Sequence, residues 1–159
     1  MTRFDAAILA LAVAGCASYG GTSLSPGTST EAEVRATMGA PASELPNEDG
    51  SRQLAYPRGP LGTETFMVTV GKDGVLREIR NVLTDQVFED IRPGLTEKDV
   101  MRMIGPPAKT VEFPISSRHA WDYRYVDTWG YTADFSVTFD ASGTAVSKSK
   151  ARIDGRSRR

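Results

Sequence analysis

The sequence predicts an α+β fold of two tandem units, each a helix–helix–antiparallel-sheet segment of three or so strands, the two sharing one core. Three observations carry this expectation. A helix start-and-stop motif occurs twice, period-two runs of aromatic and β-branched residues follow each copy, and Gly-containing turns join those runs.

Met1 to Arg3 is a short basic start, and Ala6 to Ala14 is an unbroken apolar run of nine residues. That is far short of the ~20 residues of a membrane-spanning helix and suits the core of a signal peptide. The run ends in Val13-Ala14-Gly15-Cys16, which resembles the lipobox of bacterial lipoproteins. Ala12-Val13-Ala14 also reads as an ordinary secretory cleavage site. Cys16 is the only cysteine, however, so export without lipidation would leave an unpaired thiol. Residues 1–15 are therefore expected to be a lipoprotein signal peptide, with lipidation on Cys16. By that resemblance several acyl chains anchor the protein, enough for stable attachment. The Ala17 after the cysteine, where a retention aspartate would stand, implies the outer membrane. Residues 16–29, rich in Gly, Ser and Thr, read as a flexible tether.

The first helix motif runs from Pro26 to Pro41 and the second from Pro93 to Pro107. With one residue inserted in the first, Thr30, Glu31, Val34, Gly39 and Pro41 match Thr96, Glu97, Val100, Gly105 and Pro107. Each copy explains itself physically. Thr30 with Glu33, and Thr96 with Asp99, have the spacing of a capping box. Leu95 and Val100 have that of a hydrophobic staple, and Val100 and Ile104 share a helix face. Gly39 and Gly105 are placed for a left-handed C-cap, with proline beyond as a stop. Another short helix over Thr84–Ile91 would turn Phe88 and Ile91 inward.

Strands follow. Phe66 to Val70 with Gly74 matches Phe135 to Phe139 with Gly143, the offset having grown only from 66 to 69 residues. Trp121, Tyr123 and Tyr125 alternate with charged residues, so these aromatics are expected in the core of a sheet that covers the helices with one face only. Asp140-Ala141-Ser142-Gly143 and Lys72-Asp73-Gly74 read as turns. The expected boundaries are 30–83 for the first repeat, 84–153 for the second and 154–159 for a basic tail. From Lys148 to Arg159 six basic residues face Asp154 alone. That stretch reads as a solvated tail or as a contact for anionic lipid or glycan.

The run Ile91-Arg92-Pro93-Gly94-Leu95-Thr96, with Val100, Gly105, Pro107, Trp121, Tyr123, Phe135, Val137, Phe139 and Gly143, resembles the SmpA/OmlA (BamE-like) family of outer-membrane lipoproteins. The resemblance covers residues 84–153, and the first unit is a fainter copy. A tandem of such units is also similar in plan to the β-lactamase inhibitor proteins, where two repeats join one concave sheet. The resemblance implies a non-catalytic protein-binding module on the periplasmic face of the outer membrane, with envelope or outer-membrane proteins as partners. A periplasmic inhibitor or ligand-binding module is the alternative. Exposed aromatics on a concave sheet face would favour the alternative, and a polar face the first reading.

Chemistry has little to work with. His119, the single histidine, rules out a multi-histidine metal site and reads as a surface residue. No Gly-rich phosphate loop follows a strand and no acids pair for acid–base work, so no cofactor, metal or small-molecule substrate is expected. The net charge of −1 argues against nucleic acid. Two loop residues remain as candidates for partner binding. Trp129, beside Gly130, is either a contact residue or a folded-back side chain. Arg58 stands at the tip of the corresponding loop, Pro57–Gly62.

Overall fold

The computed structural model describes residue 21, residues 23–58 and residues 62–153. Cys16 and the tail beyond Ile153 lie outside the described residues. The elements are helix α1 (Glu31–Met38), strands β1 (Ser43–Pro46), β2 (Arg52–Pro57), β3 (Thr65–Val70) and β4 (Leu76–Asn81), helices α2 (Asp85–Glu89) and α3 (Glu97–Ile104), and strands β5 (Lys109–Phe113), β6 (Arg118–Val126), β7 (Thr132–Phe139) and β8 (Ala145–Arg152). This is an α+β fold. The strands form two separate four-stranded antiparallel sheets, ordered β1-β2-β3-β4 and β5-β6-β7-β8.

Both capping boxes form. The Thr30 hydroxyl accepts from the Glu33 N–H while the Glu33 carboxylate accepts from the Thr30 N–H, and Thr96 and Asp99 do the same. Both helices end on a glycine of positive φ, Gly39 (84°, ψ −161°) and Gly105 (76°, ψ −169°). The sequence suggested the left-handed helical region at these ends. The observed ψ instead places both in the extended, positive-φ region that only glycine tolerates.

The halves share finer features. In the first, Gly27 N–H donates to the Leu76 carbonyl, Leu76 N–H to Ser29 and Glu31 N–H to Gly74. In the second, Gly94 N–H donates to Ala145, Ala145 N–H to Leu95 and Glu97 N–H to Gly143. Register shifts fall at Thr69/Val70 and at Thr138/Phe139. These positions correspond under the offset read from the sequence.

Three expectations need correction. Each sheet has a fourth, edge strand, β1 or β5, where about three strands were expected, and among the described residues the first half has one helix instead of two. The first sheet is also covered on both faces. One face packs Leu54, Tyr56, Val68, Val70 and Leu76 against Val34 of α1. From the other, Ala55 and Met67 join a cluster with Phe88, Ile91, Val100, Ile104 and the inner aromatics of the second sheet. The two sheets thus share apolar packing without joining edges.

That packing meets at the end of α3. An ideal Cβ on Gly105 would lie 3.1 Å from Thr65 Cγ2 and 3.2 Å from Ala55 Cβ, both in the first sheet. On its other side Tyr123 of the second sheet donates its hydroxyl to the Gly105 carbonyl at 3.0 Å. Arg102 adds a polar link, donating to the Asn47 side chain and the Pro46 carbonyl, each at 2.6 Å.

Candidate functional site

Trp121, Tyr123 and Tyr125 are buried, with Phe135, Val137 and Phe139 beside them on the inner face of the second sheet. Phe88 of α2 stacks on Phe135 at 3.9 Å and meets Tyr125 edge-on at 4.8 Å. The solvent face of this sheet is polar, with Arg124 paired to Asp134 at 3.0 Å and Ser136 donating to Asp122 at 2.6 Å. Among the described residues of its strands one exposed aromatic stands on this face, Phe113, opposite Arg118 at the end of edge strand β5.

Apolar exposure gathers elsewhere. The exposed large hydrophobics among the described residues are Phe113, Ile115, Val126, Trp129, Tyr131 and Ile153, and four of these six belong to one end of the second sheet. Val126 ends β6 opposite Thr132, Ile153 follows β8 and bonds the Thr132 carbonyl, and Trp129 and Tyr131 sit on the β6–β7 loop. Trp129 is 79% exposed and Tyr131 58%.

Such exposure on a loose loop would mean little, but this loop is held at two points. Asp127 accepts from the N–H groups of Trp129 and Tyr131, each at 2.9 Å, and from Arg152 Nε at 2.6 Å. Its side chain is 7% exposed. Burial raises its pKa, yet the Tyr131 N–H, the Arg152 guanidinium and the Trp129 N–H outweigh that and hold the carboxyl below the ordinary range. Asp85, in the first turn of α2, accepts from Tyr125 and Lys150 on one oxygen and from the Thr128 N–H and hydroxyl on the other, at 2.8–3.0 Å. Lys150 foremost, then Thr128 and Tyr125, keep it far below the usual carboxylate range. Burial and the bond to Asp85 push the Tyr125 phenol up to about 12. Lys150 also meets Glu89 at 2.9 Å, and Lys148 donates to the Phe88 carbonyl at 2.8 Å. Strand β8 thereby grips α2, and α2 grips the loop. Trp129 flanks an open hollow of about 530 Å³ lined by these residues.

The remaining residues singled out in the sequence lie apart from this end. Arg58 stands half-buried on the first-half hairpin, its guanidinium 5.0 Å from the centre of the Phe66 ring. His119 is not a free surface residue: it is half-buried, stacks on Phe139 at 5.3 Å and reaches Glu97 at 2.8 Å. No group of three or more His, Cys, Asp or Glu among the described residues could hold a metal ion. No described helix is long and apolar enough to cross a membrane. A second hollow of about 270 Å³, walled by Pro57, Thr65, Leu83, Pro106, Pro107 and Tyr123, lies between the halves. The Tyr123 hydroxyl there is already engaged with Gly105.

No family model matches this chain, and no curated protein matches it either. Solved structures similar to this chain include three at low similarity. A protein assigned as the osmotically inducible lipoprotein OsmE is 23% identical, over 42% of this chain and 75% of its own, with a TM-score of 0.37. A DUF4309 family protein, YjgB of Bacillus subtilis, is 18% identical over 83% of this chain and 84% of its own, with a TM-score of 0.33. A protein of Streptococcus mutans assigned as a β-lactamase inhibitor protein is 12% identical over 79% and 84%, with a TM-score of 0.34.

Sequence reasoning picked out Trp129 and missed what positions it. Asp85 lies 40–65 residues from Tyr125, Thr128 and Lys150, so no local pattern joins them. One signal was present: an aspartate two residues before Trp129 in a turn ending in glycine, the arrangement of an Asx turn.

Proposed function

We propose that this chain is a non-catalytic protein-binding module of the bacterial envelope. It is lipid-anchored through Cys16 at the periplasmic face of the outer membrane, is built from two SmpA/OmlA-like copies (30–83 and 84–153), and meets its partner through the Trp129 end. The observation that carries the reading is a Trp held 79% exposed on a loop pinned by two aspartates. An ordered loop presents its aromatic side chain without the entropy cost of ordering it on binding. Trp, Tyr and Arg, the residue types richest in interface hot spots, meet here as Trp129, Tyr131 and Arg152. The anchor rests on Val13-Ala14-Gly15-Cys16 and on the lone cysteine. The separation of the two sheets, where the inhibitor-like plan joins one concave sheet, favours this reading over the inhibitor-like one.

A photo-crosslinking amino acid at position 129, and in a control strain at Ser149 on the polar face, tests it in intact cells. Capture of one envelope protein from position 129 and not from 149 is the expected result. Equal capture from both positions, or none from 129, would overturn the proposal.

A further inference from the structure

We infer that the Trp129 end recognises an acidic segment of its partner, a carboxylate flanked by large apolar side chains; this rests on that end being the contact surface. Among the described residues, the carboxylates at this end are already engaged. Asp127 is 7% exposed and accepts from three donors, and Asp85 accepts from four. Glu89, which is exposed, is answered by Lys150 at 2.9 Å and Lys148 at 3.7 Å.

The cation at the centre is not used up. Arg152 is half exposed, and among the described residues only its Nε is engaged, by Asp127. Its guanidinium lies 4.6 Å from the centre of the Tyr131 ring, so stacking and the Asp127 bond together fix its plane. The terminal nitrogens are left as an oriented fork, the donor geometry that a carboxylate matches with two parallel bonds. Val126, Trp129, Tyr131 and Ile153 surround it with apolar surface.

An incoming lysine or arginine would meet like charge here. A lipid headgroup layer is matched by several free cations in a plane, whereas Lys148 and Lys150 are tied to α2 and one oriented guanidinium remains. A discrete carboxylate on a peptide fits that valence best.

The probe is an acetylated, fluorescein-labelled peptide alternating Asp or Glu with Phe and Leu, compared with the same peptide carrying Lys at the acidic positions. Anisotropy is read with the full-length chain in neutral detergent. The acidic peptide is expected to bind and the lysine peptide not to. Added salt should weaken binding, and Trp129→Ala and Arg152→Lys should each weaken it about tenfold or more, the range of a hot-spot residue. Because Arg152→Lys also touches the Asp127 bond, unchanged amide shifts of Thr128 and Gly130 must show an intact loop, and Trp129→Ala decides the matter if they move. Binding of the lysine peptide, acidic-peptide binding undiminished in Trp129→Ala, or binding to phosphatidylglycerol vesicles but to neither peptide would each overturn the inference. Capture by crosslinking from position 129 without acidic-peptide binding would sink this inference alone. Failure of both would remove the contact surface too.

Discussion

Gly39 and Gly105 form a built-in control for what the seam between the halves contributes. Both end a helix with nearly the same backbone angles, and both donate their N–H four residues back at 2.9 Å, to Arg35 and Met101. Giving either a side chain incurs the same conformational strain, about 1–3 kcal/mol for a residue forced into this region. They differ in what a methyl would touch. At Gly39 nothing lies within 4 Å of the new Cβ, whereas at Gly105 it meets Thr65 Cγ2 at 3.1 Å and Ala55 Cβ at 3.2 Å. Those atoms belong to buried positions of strands, so they cannot swing aside, and overpacking adds about 1–3 kcal/mol. Gly39→Ala should therefore cost about 2 kcal/mol and Gly105→Ala about 4. At roughly 2–4 °C per kcal/mol for a chain of this size, the melting temperature should fall about 4–8 °C and 8–16 °C respectively. Urea titrations and thermal melts followed by circular dichroism read both. A double-mutant cycle sharpens the test, because Ala55→Gly removes one clashing atom. It should recover about 1 kcal/mol with Gly105→Ala and be additive with Gly39→Ala. Equal costs at the two glycines, or no coupling to Ala55, would refute the packing argument.

Asp85→Asn should cost about 1.5–3 kcal/mol at neutral pH, the worth of a hydrogen bond to a charged group in a partly shielded site. The folded carboxyl lies far below its ordinary value, so its contribution is fully present above the unfolded pKa near ~4 and is lost as pH falls below that. The gap between parent and variant in urea midpoint should hence narrow from pH ~7 to pH ~2, and a constant gap would contradict the assignment. Residues 22–159 should unfold in one transition and residues 22–83 should fold poorly alone, because Ala55 and Met67 pack into the core of the second half; two separate calorimetric peaks would argue otherwise. Cys16→Ser should move the mature protein from the membrane pellet to the soluble fraction, and an unchanged distribution would count against lipidation.

Much of the fold was legible because local chemistry fixes it. Thr30 with Glu33 and Thr96 with Asp99 mark helix starts by residue type and spacing alone, and the alternation around Trp121, Tyr123 and Tyr125 marks a strand with one dry face. Strands β1 and β5 were not legible. They are short, largely exposed edges whose apolar residues do not alternate over a readable length, and β1 ends on Pro46. Burial of the first sheet on both faces was hidden because it depends on where α3 docks, a tertiary fact. At the site, the exposed Trp129 could be suspected from its place beside Gly130. The Asp85 clamp could not, since its four donors come from Tyr125, Thr128 and Lys150, 40–65 residues along the chain.

The paired backbone bonds ahead of α1 have a mechanical consequence. Gly27, Ser29 and Glu31 are stitched to Leu76 and Gly74, at the start of β4, by three hydrogen bonds. A pull on the N-terminal segment meets the Gly27 and Ser29 bonds before it reaches the helix, whose first residue, Glu31, makes the third. Under load the stitch acts as a fuse that opens first, giving slack while the capping box and Val34 stay seated. A matching stitch, Gly94, Leu95 and Glu97 against Ala145 and Gly143, guards α3 from tension arriving through α2. Each sheet would thus be insulated from the chain that leads into it.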